Sequence, residues 1–268
     1  VWSADVCEAP GVGEPASQSI MVVDVDGVLF QQSTGIPPIA FCALLKRRGL
    51  STDAIERFYD APKIPVDKDL NEYIAGLITA GHLVVALTAC DMRRAPRREW
   101  DLRSCGIDLS LWWGGIDISF GWGRFKSGVF YCGAKGKGRA LFALIDRLSV
   151  EFNRPGSSVQ ALVRQWGQTP FAANLRRLVN PISRISVIVI DDDKHNLENI
   201  TMICSILQCS CICILYTQQK EWYTQHPQLA QLVEYQILAL EGGYFLSLPQ
   251  AEMLARVLTP CRAPLPLM

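Results

Sequence analysis

The stretch Ile20-Met21-Val22-Val23-Asp24-Val25-Asp26-Gly27-Val28-Leu29 decides the fold. Residues 20–25 form a run dominated by the β-branched Ile20, Val22, Val23 and Val25, the pattern of a strand buried on both faces. The run breaks at Asp26-Gly27. Two carboxylates two residues apart at the end of a buried strand are costly unless positive charge offsets them. A hard divalent cation would do so, and it favours oxygen ligands.

Similar runs recur outward from this stretch. Residues 82–87, 185–190 and 211–216 read as buried strands, and 129–131 as a short one. Helical patterns lie between them. Residues 37–60 follow Pro37-Pro38, and 67–79 carry Leu70, Tyr73, Ile74, Leu77 and Ile78 at helical spacing before Gly81. Residues 95–105 read as a basic, exposed helix, and 138–148 and 197–207 as two more. This alternation predicts an α/β fold, a three-layer Rossmann-like sandwich with a mainly parallel sheet. Residues 150–183, with Pro155-Gly156 and helical segments at 159–166 and 171–178, read as an insertion. The expected organisation is an arm at 1–18, a core at 19–245 with a small helical cap at 31–66, and a C-terminal helix and tail at 246–268.

The composition sets outer limits. Of the 268 residues 49% are apolar and 19% charged, which excludes a disordered chain. Twenty-six basic residues balance twenty-six acidic ones, which argues against a nucleic-acid partner. No apolar run approaches the roughly 18–20 residues of a spanning helix, so no membrane span is expected. The ten cysteines include no CxxC pair, which argues against zinc. Cys42 and Cys132 fall in apolar segments, while Cys209, Cys211 and Cys213 alternate as on one strand face. Buried thiols are the expectation, and with them a reducing, cytoplasmic compartment. The first residue is valine, compatible with a mature form whose signal peptide has been removed.

In parallel sheets the site lies at the carboxyl ends of the strands. The first strand ends in Asp24 and Asp26, the second at Thr88, and a later one in Asp191-Asp192-Asp193 with Asn196 following. Lys137 opens a helix in Gly136-Lys137-Gly138. An Asp-x-Asp-Gly alone is common in turns, and an aspartate cluster alone can be a helix cap. Together these groups suit phosphoryl transfer. One carboxylate attacks phosphorus, a second protonates the leaving oxygen and then activates water, and lysine, hydroxyl and Mg²⁺ neutralise the equatorial oxygens.

On these motifs the chain resembles the haloacid dehalogenase-like superfamily. They fall in its order: Asp24-Val25-Asp26-Gly27-Val28-Leu29, Leu87-Thr88, Lys137, and Asp191-Asp192-x-x-x-Asn196. Within it the chain is similar to a bacterial family known mostly from intracellular bacteria, through Leu87-Thr88-Ala89-Cys90, Lys137-Gly138-Arg139-Ala140-Leu141, 190–198 and Tyr216-Thr217. The departure is Cys90, where that family shows arginine, and it falls on substrate contact. The resemblance implies Asp24 as nucleophile and metal ligand, and Asp26 as general acid/base offering its backbone carbonyl to the metal. Thr88 would hold the phosphoryl group and Lys137 the phosphate and the nucleophile's charge. Asp191 and Asp192 would bind Mg²⁺. Lys135 is the rival for the lysine role.

The expected function is a Mg²⁺-dependent phosphatase acting on a phosphomonoester, small molecule or phosphoprotein, through an aspartyl-phosphate. Its rivals are a binding or effector protein that keeps the fold with little turnover, and a phosphotransferase of the same superfamily. His82, His195 and His226 read as solvated residues. Arg93, Arg94, Arg97 and Arg98 read as a solvated helix face that could alternatively meet an anionic substrate. Trp112, Trp113, Phe120, Trp122 and Phe125 read as core or hairpin packing, and Trp222 and Tyr223 as packing at the sheet edge.

Overall fold

The computed structural model describes residues 7–8, 19–35, 41, 43, 47–49, 51–179, 186–225 and 229–258. Most of the expected arm, the start of the 37–60 helix, the end of the 150–183 insertion, His226 and the tail after 258 lie outside the described residues, as do the Trp222 and Tyr223 side chains.

In chain order the elements are β1 (Cys7–Glu8), β2 (Ser19–Asp24), β3 (Phe30–Gln32), α1 (Thr52–Asp60), β4 (Lys63–Pro65), α2 (Lys68–Thr79) and β5 (Leu83–Thr88). There follow α3 (Ala95–Ser104), α4 (Ser110–Trp113), β6 (Asp117–Ser119), β7 (Arg124–Lys126), β8 (Val129–Tyr131) and α5 (Lys137–Asn153). The chain continues through α6 (Ser158–Trp166), α7 (Pro170–Leu178), β9 (Ser186–Asp191), α8 (Lys194–Ile206), β10 (Ser210–Leu215), α9 (Gln218–Gln225), α10 (Leu229–Glu241) and α11 (Leu248–Leu258).

The fold is α/β. An eight-stranded sheet runs β1-β10-β9-β2-β5-β8-β7-β6. Its centre, β10-β9-β2-β5-β8, is parallel, and β1, β7 and β6 are antiparallel additions. All six residues of β5 are buried, as a strand covered on both faces requires. Ile20, Val22, Val85, Leu87 and Val189 share one core with Leu141, Leu144 and Ile145 of α5 and Phe171 and Leu175 of α7. The arrangement is compatible with a Rossmann-like sandwich.

Local chemistry explains the helix starts. Asp67 accepts from the amides of Asp69 and Leu70 at the head of α2, and Ser51 from that of Ala54 at the head of α1. The uninterrupted helix expected over 37–60 is broken at Gly49, whose φ of +64° ends one segment before Ser51 caps the next. Of the three alternating cysteines, Cys211 and Cys213 lie in β10 and Cys209 in the turn before it; all three are buried. The aromatic stretch packs in the core around the β6–β7 hairpin: Trp113 meets Phe125 and Phe171 edge-on, and Trp112 stacks on Phe171.

The chain divides into two compact units, Val1–Leu29 with Asp67–Thr217, and Phe30–Val66 with Gln218–Met268. The first unit contains the sheet just described. The second has its own core of Phe41, Ala54, Phe58, Val233, Ile237 and Leu240. Phe41 stacks on Phe58 with ring centroids 3.9 Å apart, and the Arg57 guanidinium donates to the Leu240 carbonyl. The physical reason is that α1 alone has too little partner surface to bury Phe58, and α10, about 180 residues later in the chain, supplies it.

Helices α5 and α8 approach closely at Gly138. A Cβ there would lie 2.8 Å from the Asn199 carbonyl oxygen and 3.2 Å from Ile203. The opposing atom is backbone and cannot swing away. Gly138→Ala is therefore expected to destabilise the protein by about 1–3 kcal/mol, read as a lowered midpoint in urea.

Candidate functional site

Three parallel strands end side by side. Asp24 closes β2, Thr88 closes β5 and Asp191 closes β9, with Asp24 opposite Leu87 and Val23 opposite Ile190. After Asp24 the chain turns sharply, with Gly27 at φ +93°. A side chain at that φ would be strained, so glycine is needed there. Val25, Val28 and Leu29 are buried and pin the turn, and the Leu29 amide donates to the Val25 carbonyl. Asp24 Oδ1 accepts from the Val25 amide at 2.6 Å.

Lys137 enters from the first turn of α5. Its ammonium lies 2.6 Å from Asp24 Oδ2 and 2.7 Å from Asp191 Oδ2, and all three side chains are buried. Asp191 Oδ1 accepts from the Asp193 amide at 2.9 Å and from Asn196 Nδ2 at 3.1 Å. Asp193 caps α8 by accepting from the His195 amide. The Asp triplet is thus both a helix start and a site component. Thr88 Oγ1 donates to Asp26 Oδ2 at 3.3 Å and accepts from the Cys90 amide at 3.0 Å.

Burial pushes the Asp24 carboxyl well above its ordinary value; Asp191 and Asp192 push the same way, and Lys137 opposes them. Burial alone would lower the Lys137 ammonium, but the carboxylates of Asp24 and Asp191 outweigh it and hold the group above its ordinary range. Lys137 thus pairs with two of the carboxylates gathered here, Asp24 and Asp191. Asp24, Asp191 and Asp192 each present an oxygen, and these oxygens lie within 4.8 Å of one another. An all-oxygen set of three carboxylates suits a hard divalent ion such as Mg²⁺.

Of the residues picked from the sequence, Asp24, Lys137 and Asp191 meet directly, Asp192 adjoins them, and Asp26 and Thr88 contact each other. Lys135 is exposed, so Lys137 is the lysine that meets the carboxylates. His82 and His195 are exposed. Cys90 is half-buried, and burial raises its thiol above the ordinary value, against a nucleophilic role.

The expected solvated arginine face needs correction. Arg93 is exposed, but the Arg98 side chain is 3% exposed and lies 2.8 Å from Asp26 Oδ1. It also pairs with the fully buried Asp101, which Arg97 contacts in turn. Helical spacing assigned these charges to solvent because nothing in α3 itself reveals a carboxylate arriving from the turn after β2. A usable signal was Asp101 at i+3 from Arg98 and i+4 from Arg97.

Among the described residues no helix is long and apolar enough to cross a membrane. Comparison of the chain with protein-family models, with curated proteins and with solved structures finds no match in any of the three.

Proposed function

We propose that this chain is a phosphatase of the haloacid dehalogenase-like type, hydrolysing a phosphomonoester with Mg²⁺ as cofactor. The observation that carries the reading is the convergence of Asp24, Asp191 and Lys137 at adjacent strand ends, with Asp26 and Thr88 in contact beside them. When bound, Mg²⁺ would be held by Asp24, Asp191 and Asp192 and would supply positive charge against the phosphoryl oxygens.

In this reading an Asp24 carboxylate oxygen attacks phosphorus and the bond to the leaving oxygen breaks. Asp26 gives its proton to that oxygen. Thr88 and Lys137 hold the equatorial oxygens, Lys137 by charge and Thr88 by its hydroxyl. Water then gives a proton to Asp26 as it attacks the aspartyl-phosphate. The Asp24 carboxylate is released with inorganic phosphate. Asn196 fixes the orientation of Asp191.

The test is hydrolysis of p-nitrophenyl phosphate with Mg²⁺ and with EDTA. Turnover that requires Mg²⁺ is expected. A folded protein that binds Mg²⁺ without turning over this ester or a panel of phosphorylated metabolites and phosphopeptides would favour a binding protein instead. Metal binding has its own readout. At about 100 times its Kd a ligand stabilises by about 2.7 kcal/mol. For a protein of this size that raises Tm by roughly 5–10 °C. Asp191→Asn should cut the Mg²⁺-induced shift to a small fraction in a thermal melt.

A further inference from the structure

Arg98 stands apart from the other arginines of α3. Its guanidinium is almost wholly buried, and a buried guanidinium needs carboxylate partners. Asp101, one turn along the same helix, would serve for that alone. The contact to Asp101 is 3.6 Å, whereas that to Asp26 Oδ1 is 2.8 Å. The shorter contact therefore leaves the helix and reaches the carboxylate beside Asp24. Asp26 is held at both oxygens, Oδ1 by Arg98 and Oδ2 by the Thr88 hydroxyl.

We propose that Arg98 is a positioning residue: anchored on α3 by Asp101, it fixes the Asp26 carboxylate in the orientation from which a proton reaches the leaving oxygen. The inference deepens the phosphatase reading and rests on it. Arg98 meets the site through its 2.8 Å contact to Asp26 Oδ1, and acts through that carboxylate. As the bond from phosphorus to the leaving oxygen breaks, the Asp26 proton passes to that oxygen; in the second half water returns one proton to Asp26. A carboxyl free to rotate would miss the leaving oxygen in most of its orientations. The loss would be greatest for a leaving group that departs poorly as an anion.

The experiment compares p-nitrophenyl phosphate with phenyl phosphate. The two have similar shape, but phenolate is the worse leaving group. In Arg98→Met, kcat on phenyl phosphate should fall at least about tenfold further than kcat on p-nitrophenyl phosphate, with KM moving little. Arg98→Lys keeps the charge without the planar fork and should recover part of the difference. In an Asp26→Ala background, adding Arg98→Met should change neither rate more than about twofold, because the residue through which Arg98 acts is gone. Equal falls on both substrates, or a further fall in the Asp26→Ala background, would overturn the proposal. Should Arg98→Met not fold by near-ultraviolet circular dichroism, the same substrate ratio is read in Arg98→Lys, where an unchanged ratio overturns it. Wild-type protein without Mg²⁺-dependent hydrolysis of either ester would instead overturn the phosphatase reading itself.

Discussion

Asp24→Asn is expected to abolish Mg²⁺-dependent hydrolysis, by about a thousandfold or more, while making the metal-free protein more stable. The loss follows because an amide oxygen cannot serve as the attacking nucleophile. The gain follows from the electrostatics. Burial first, and then the Asp191 and Asp192 carboxylates, raise Asp24 above its ordinary 3.8, and Lys137 offsets only part of this. A carboxyl raised in the folded state contributes stability below its unfolded value, and that contribution is lost as pH rises through the folded value. The ionised form of Asp24 therefore weighs against the fold, and asparagine removes that penalty. Lys137 keeps Asp191 at 2.7 Å, so its ammonium is not left alone. The variant is therefore expected to unfold at a higher urea midpoint than wild type without metal. Acidification from neutral pH should stabilise the metal-free wild type more than the variant. With Mg²⁺ the order should invert, since only the wild type offers all three carboxylates. An Asp24→Asn protein that still turns over the ester, or that is less stable than wild type without metal, would contradict this account.

Lys137→Met should produce the opposite combination, with both activity and stability lost. Its ammonium is the partner of two buried carboxylates, Asp24 at 2.6 Å and Asp191 at 2.7 Å. Removing one side of a buried ion pair typically costs about 3–5 kcal/mol, because the charge left behind has no water to turn to. For a protein of this size the melting temperature should fall by about 10 °C. Turnover should fall by about 10²–10³ through lost neutralisation of the phosphoryl oxygens. Mg²⁺ should restore part of the stability, by supplying positive charge to the same carboxylates, but little of the activity. Lys135→Met is the control: two residues earlier and exposed, it should stay within about 0.5 kcal/mol of wild type. Equal effects of the two substitutions would refute the assignment of Lys137.

The sequence by itself determined the central strands and the groups at their ends. The apolar runs at 20–25, 82–87 and 185–190 are too continuous for half-exposed strands, and they appear as β2, β5 and β9 at the middle of the sheet. A parallel sheet aligns its carboxyl ends, so Asp24, Thr88 and Asp191 become neighbours as soon as those strands pair. Turn chemistry was equally local, in Gly27 after the strand and Asp193 capping α8. The sequence favours Lys137 over Lys135 by its place at the helix start, and the tertiary structure adds the burial and the carboxylate contacts that separate the two. The tertiary structure also turned α3 from a solvated face into the seat of Arg98, whose partner Asp26 lies 72 residues away. And it joined Phe30–Val66 to Gln218–Met268 in a unit of their own. The division has one physical cause. Periodicity and turn chemistry record what a segment does with its immediate neighbours, whereas the burial of a charge or an aromatic face is completed by whatever distant segment the fold brings against it.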